Sequence, residues 1–176
     1  SRSLNILAGG TLNWSNTSND GGRIRTGSGA AFNNAGLWHD QSAFNNRISN
    51  DFGGAASSFT NSDTYRKRGA ALTDIGITFN NSGVVDVQAG TLNISAGGNG
   101  NGEFRAGAAG VINFGGPGYS FSDGSQFSGA GAKNINAGTF SFSGTQTGNN
   151  LNLVAGSYSG SHTFAGEVEW VGGSFA

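Results

Sequence analysis

The sequence predicts an all-β protein wound as a β-solenoid. Three observations carry that reading: a recurring apolar-polar-apolar triplet, glycine pairs one coil apart, and repeated Phe-Asn-Asn turns. The triplet appears as Leu4-Asn5-Ile6, Leu12-Asn13-Trp14, Leu92-Asn93-Ile94, Ile112-Asn113-Phe114, Phe140-Ser141-Phe142, Leu151-Asn152-Leu153 and Val168-Glu169-Trp170. Period-two alternation puts its outer residues on one face of a strand and the middle residue on the other.

The glycine pairs end at Gly90, Gly110, Gly138, Gly156 and Gly173, with the longest step between Gly110 and Gly138. Such steps are too short for a βαβ unit and suit one solenoid coil. Val85, Val87 and Ala89 share one face, whereas Leu92 and Ile94 share the next. The parity slips at Gly90, where a residue free to take positive φ can turn a corner. "FNN" begins at Phe32, Phe44 and Phe79, and "FTN" at Phe59. Phe32, Phe59 and Phe79 are expected to fill the interior. The accompanying asparagines, Asn81 among them, are expected to stack and hydrogen-bond along a column.

Composition agrees with an ordered repeat. The 176 residues include 33 Gly and 21 Asn, but also 13 Phe and 3 Trp. Disordered chains lack such aromatics. Net charge is −1, with no concentrated basic face for nucleic acid. There is no Cys for a disulfide or thiolate metal site, and no apolar run approaches the length of a membrane-spanning helix. The expectation is therefore one solenoid segment over 1–176, without nucleic-acid binding or membrane insertion.

Two further readings concern organisation. Leu4 to Gly9 matches Leu151 to Gly156, and the tryptophan triplets at Leu12 and Val168 lie a similar distance apart. A long tandem repeat and a chance likeness in a Gly-rich chain both account for this. Trp38 to Ile75 is the least repetitive stretch, expected as irregular coils or an inserted loop. Both chain ends read as strands, so uncapped ends are expected, with continuation of the polypeptide or end-to-end stacking beyond them.

With its triplets, the "FNNSG" turn and the "QAGTLNIS" corner, the chain resembles Gly/Asn-rich bacterial surface proteins with right-handed parallel β-helices, the autotransporter passengers and filamentous-haemagglutinin-like adhesins. The repeat spacing, about 20 residues per coil, predicts about eight or nine coils, with core and corner residues at Phe32, Phe59, Phe79, Asn81, Gly90, Leu92, Ile94, Gly110, Ile112, Phe114, Gly138, Phe140, Phe142 and Gly156. At ~4.8 Å between strands these span roughly 40 Å. The resemblance implies an extracellular or cell-surface location and a structural or adhesive filament without a cofactor.

Candidate chemistry is sparse. Tyr65-Arg66-Lys67-Arg68 is the one concentrated charge, and it offers contact to an acidic glycan or another surface or matrix polysaccharide. Trp14, Trp38, Tyr119 and Tyr158 are candidates for stacking on sugars, although the triplets place Trp14 and Trp170 inside. Glu167 and Glu169 share an outward face and are the only paired carboxylates worth weighing for glycoside hydrolysis on this fold. His39 and Asp40 are adjacent and so point to opposite faces. His162 has no acidic neighbour closer than Glu167. "GGNGNGEF", Gly97 to Phe104, lacks the aspartate of a calcium repeat and reads as a turn. "GGPGYSFSDGS", Gly115 to Ser125, reads as a surface loop. Thr145-Gln146-Thr147 shows ice-binding spacing once, too little for a flat threonine face. Asp86 and Gln88 fall on the outward, wet face. No catalytic or metal-ligating residue is assigned.

Overall fold

The computed structural model describes residues 2–175. The first turn runs through β1 (Ser3–Ile6), β2 (Thr11–Trp14) and β3 (Ile24–Arg25). The second holds β4 (Ala31–Asn34), β5 (Leu37–Asp40) and β6 (Asn46–Ser49), the third β7 (Ser58–Asn61), β8 (Thr64–Lys67) and β9 (Leu72–Gly76). In the fourth, β10 (Thr78–Asn81) precedes a long bent β11 (Val84–Ile94), and in the fifth β12 (Gly98–Gly100) precedes β13 (Glu103–Phe114). The sixth comprises β14 (Tyr119–Phe121), β15 (Gln126–Ser128) and β16 (Lys133–Ile135). The seventh has β17 (Thr139–Phe142) and β18 (Gly144–Leu153), the eighth β19 (Ser157–Ser159) and β20 (His162–Trp170). A short β21 (Ser174–Phe175) returns to the first face.

Each strand pairs in parallel with its counterpart one turn on. The strands β1, β4, β7, β10, β12, β14, β17, β19 and β21 form one sheet, and the other twelve form a second sheet that bends into two further faces. The molecule is a parallel β-solenoid of about eight turns, with no helix among the described residues. Register along the first face sets Ser3 beside Ala31, Ala31 beside Ser58 and Ser58 beside Thr78. Near the far end it sets Thr139 beside Ser157 and Ser157 beside Ser174. The first two turns are therefore the longest, and the solenoid narrows towards its C-terminal end.

Alternation decides what lies inside. The triplet ends Leu92, Ile94, Ile112, Phe114, Phe140, Phe142, Leu151 and Leu153 are all buried. Phe32, Phe59 and Phe79 lie in register and are buried, with ring centroids 6.0 and 5.3 Å apart. Fully burying a side chain of this size is worth about 2–3 kcal/mol. Phe44 does not join them: it sits in a corner loop and is 44% exposed. Beside the Phe column runs the expected asparagine column. Asn34 Nδ2 donates to Asn61 Oδ1 at 2.7 Å, and Asn61 Nδ2 to Asn81 Oδ1 at 2.8 Å. The same amides reach the backbone carbonyls of Thr64, Val84 and Glu103, each at the start of the next turn's second face. The column thus ties the first corner shut, turn to turn. A second asparagine ladder, not foreseen as one, links the triplet centres Asn93, Asn113 and Asn152 through Asn134 on the third face, with amide bonds of 2.8 to 3.0 Å.

Glycine acts for two different reasons at one corner. Gly90 has φ +72, and a Cβ there would stand 2.6 Å from the Gly69 carbonyl oxygen. Gly110 lies in register with it without positive φ, but a Cβ would collide with the carbonyl of Val87. Gly138 and Gly156 serve another corner, just ahead of β17 and β19. The long step between Gly110 and Gly138 is therefore a change of corner, not a longer coil.

Several expectations are corrected. Trp38 to Ile75 is not an insertion, for strands β5 to β9 run through it in regular register. The irregularity lies in corner loops at 15–23, 41–45 and 50–57, which lengthen the first two turns. The likeness of Leu4 to Leu151 joins β1 on the first face to the end of β18 on the third, so it describes no structural repeat. "GGNGNGEF" contributes strand β12 instead of a turn, and "GGPGYSFSDGS" contributes β14, with Tyr119 and Phe121 inside. Trp170 occupies an inward position on the last full turn, yet 47% of it is exposed.

The asparagine column gives a direct test. Asn61→Ala removes an amide that bonds above and below, leaving Asn34, Asn81 and the Val84 carbonyl short of partners. Each unmet buried group costs about 1–3 kcal/mol, so equilibrium urea unfolding should show a loss of at least about 3 kcal/mol. The exposed Ser120→Ala variant should lose far less.

Candidate functional site

Strand alternation splits the basic run Tyr65 to Arg68. Tyr65 and Lys67 point inward and are fully buried, while Arg66 and Arg68 lie on the outer surface. Only two of the four candidate residues can therefore meet a surface ligand, and both are already engaged. Arg66 Nε lies 3.1 Å from Asp86 Oδ2, Gln88 Nε2 donates to the same oxygen at 2.8 Å, and Arg68 Nε donates to Gln88 Oε1 at 2.8 Å. Asp86 is outward, as expected, but this cover leaves it only 7% exposed. Register stacks His39, Arg66, Asp86 and Arg105 in one outer column. Partial burial, then the Arg68 and Arg66 guanidiniums, hold His39 below the ordinary histidine range despite Asp40.

The inward half of the run forms a polar cluster within the core. Asp40 and Lys67 are register partners, both fully buried, with Nζ 3.6 Å from Oδ2. Lys67 Nζ donates to Thr73 Oγ1 at 3.0 Å. Thr73 Oγ1 donates to Asp40 Oδ2 at 2.6 Å, and the Tyr65 hydroxyl to the same oxygen at 3.2 Å. The Ser42 N–H donates to Asp40 Oδ1 at 2.9 Å, so both carboxylate oxygens are satisfied. Burial pushes Lys67 down, opposed by Asp40, and burial and then Asp40 push Tyr65 well up. Sequence reading missed this pair. The signal was the spacing of Asp40 from Lys67, which equals that of Ala31 from Ser58, one turn in this part of the solenoid.

A second interior lysine lacks a carboxylate. Lys133 is fully buried in register with Ile112 and Leu151, and its Nζ donates to the carbonyls of Ser128 and Gly129, each at 2.9 Å. Burial brings it down to about 8.

The remaining candidates do not converge. Glu167 and Glu169 are exposed along β20. Asp40 is inside and His39 outside, so they form no pair. His162 packs against Phe142, Phe164 and Phe175. Trp14, Trp38, Tyr119 and Tyr158 are all core residues, each 6% exposed or less, and cannot stack on a sugar. Among the described residues no group of three or more His, Asp or Glu side chains is placed to hold a metal ion.

The two lysines make separable predictions. Lys67→Met strands the Asp40 charge and should cost about 3 kcal/mol or more, whereas Asp40→Asn with Lys67→Met should recover most of that loss. Lys133 is depressed in the folded state, so the unfolded chain binds more protons between about pH 8 and its ordinary 10.5. Stability should rise with pH from about 8 towards 10, read as the urea midpoint, and Lys133→Met should flatten that rise. Tyr65, raised, acts in the opposite sense and only above its ordinary value of 10.0: there the folded chain keeps a proton that the unfolded chain loses, so stability falls as pH rises. Comparison with protein-family models, curated proteins and solved structures finds no match, so the fold, a parallel β-solenoid of about eight turns, stands on the chain's own geometry.

Proposed function

We propose that the chain is a structural segment of an extracellular filament or stalk, at or beyond a bacterial cell surface. Its work is mechanical: main-chain hydrogen bonds run along the axis, and the interior columns resist sliding of one turn over the next. The observation that carries this reading is the state of the two outermost turns. Inward positions Leu4 at one end, and Trp170 and Phe175 at the other, are 41%, 47% and 55% exposed, whereas their counterparts Phe32, Leu153 and Tyr158 are buried. Beside them run strand edges with unpaired backbone groups, a ready template for another strand. A further β-turn, from this polypeptide or from a second copy, would satisfy both the edge hydrogen bonds and the open apolar columns.

The resemblance to Gly/Asn-rich surface proteins supports the location. Adhesion through residues 65–68 is not favoured, because Tyr65 and Lys67 are interior and Arg66 and Arg68 are tied to Asp86 and Gln88. Hydrolysis by Glu167 and Glu169 has no converging acid or base beside them to support it.

Sedimentation velocity over the micromolar range, with electron microscopy of the same samples, tests the stacking. The expected result is concentration-dependent association into elongated particles, reversed by Trp170→Lys with Phe175→Lys. A strictly monomeric chain, or association indifferent to those two changes, would overturn the proposal.

A further inference from the structure

A cleft of about 490 Å³ lies outside the core, at the corner between the third and first faces, where the turns are longest. It is lined by Arg2, Arg25, Ser28 and Phe52, with Thr26, Gly27 and Ala30 completing its wall. Four features set it apart from the repetitive surface around it.

Phe52 is 66% exposed, more than any other aromatic among the described residues. Its loop holds it firmly. The Phe52 N–H donates to the Thr26 carbonyl at 3.0 Å, and the Ser28 and Gly29 N–H groups donate to the Gly53 and Ala55 carbonyls at 2.7 and 2.8 Å. The backbone that carries the ring is thus tied on both sides, and the ring faces water.

Charge at the cleft is unbalanced. Asp51 serves both Arg23, at 2.6 Å, and Arg25, at 2.8 Å, and Arg2 has no carboxylate within ion-pair distance among the described residues. Two guanidiniums therefore share one carboxylate, and Arg2 adds a third positive charge. Arg25 lies 4.8 Å from the Phe52 centroid, which brings a cation and the aromatic plate into one unit.

Ser28, exposed at the rim, adopts φ +54, a conformation that L-residues other than Asn and Asp seldom take. Backbone strain of this kind persists only where the surroundings enforce it, and it clusters at ligand-binding positions. The first two turns also carry the loops that interrupt an otherwise smooth solenoid. In repeat folds such insertions gather on the binding face.

We propose that this cleft binds an anionic saccharide, a uronate unit, with its carboxylate on Arg2 and Arg25 and the C–H face of its ring on Phe52. A planar carboxylate matches the guanidinium fork, and the exposed ring provides the apolar contact that an inorganic anion cannot use. The stacking test reads association through Trp170 and Phe175, remote from this cleft, and the test below reads ligand binding, so either assignment can fail alone.

Isothermal titration of the full chain at low ionic strength tests it, with tetragalacturonate as the probe and tetragalactose and sulfate as comparisons. The expected result is saturable binding of the uronate oligomer, weaker by roughly tenfold or more in Phe52→Ala and in Arg2→Ser. Arg105→Ser, a remote exposed arginine, should leave binding unchanged, and tetragalactose should bind far more weakly. Thermal melts by circular dichroism confirm that each variant is folded. No saturable uronate binding at roughly millimolar concentration overturns the proposal. So does binding that survives both cleft changes, binding lost instead in Arg66→Ser with Arg68→Ser, or binding that sulfate matches without regard to Phe52.

Discussion

Parallel, in-register pairing between turns is the constraint on which everything else in this molecule depends. It sets each side chain ~4.8 Å above its counterpart, so every position must tolerate a copy of itself or a specific complement. Phenylalanine tolerates itself by ring packing. Asparagine does so better than most polar residues, because its amide carries a donor and an acceptor and can pass a hydrogen bond along the axis. Carboxylates and guanidiniums cannot. Where charges follow one another in a column they alternate, as Arg66, Asp86 and Arg105 do outside and Asp40 and Lys67 do inside. The 21 asparagines and 11% charged residues follow from that geometry.

The interior changes character along the axis, and glycine makes the change. Inward positions beside the first corner run Asn34, Asn61, Asn81, then Gly100, then Phe121 and Phe142. An amide directly beneath a phenyl ring would lose its partner. Gly100 and its neighbour Gly98 remove the side chain where the two regimes meet. Phe104 takes up the room from the second face, with centroids 5.7 Å from Tyr119 and 6.0 Å from Phe121. The asparagine column ends on the Glu103 carbonyl, so it closes without an orphaned group.

Much of this was legible because the relevant signals are local. Triplet parity places Leu92, Ile94, Ile112, Phe114, Phe140 and Phe142 inside, and the slip read at Gly90 corresponds to the change of buried parity between Val87 and Leu92, with the register shift itself between Val87 and Ala89. What escaped depends on register, and register depends on loop length. Lys67 and Tyr65 read as surface charge and surface aromatic until Asp40 is set one turn beneath them. Leu4 and Leu151 look equivalent until the faces are counted. In "GGNGNG" a strand goes unseen because glycine carries no side chain to mark which face it occupies. The cleft beside Phe52 escaped for the same reason as the buried lysine, since Arg2 and Arg25 lie at opposite ends of the first turn and Phe52 on the second.

The stacking rule also bears on where recognition can sit. A column of like residues repeats the same chemistry every turn, so a ligand shifted by one turn meets nearly the same surface. Such a face offers affinity by repetition but little positional specificity. Specific recognition on a solenoid needs a place where the repeat is broken. In this chain the break is the pair of long turns, where Phe52 faces water, Ser28 takes a strained conformation, Arg23 and Arg25 share Asp51, and Arg2 has no carboxylate partner among the described residues. The same residues would be poor columns: an exposed ring and uncompensated guanidiniums cannot be copied upward without repulsion or wetted apolar surface. Their presence at a single level, held by backbone hydrogen bonds to neighbouring loops, separates them physically from the residues that only hold the turns together.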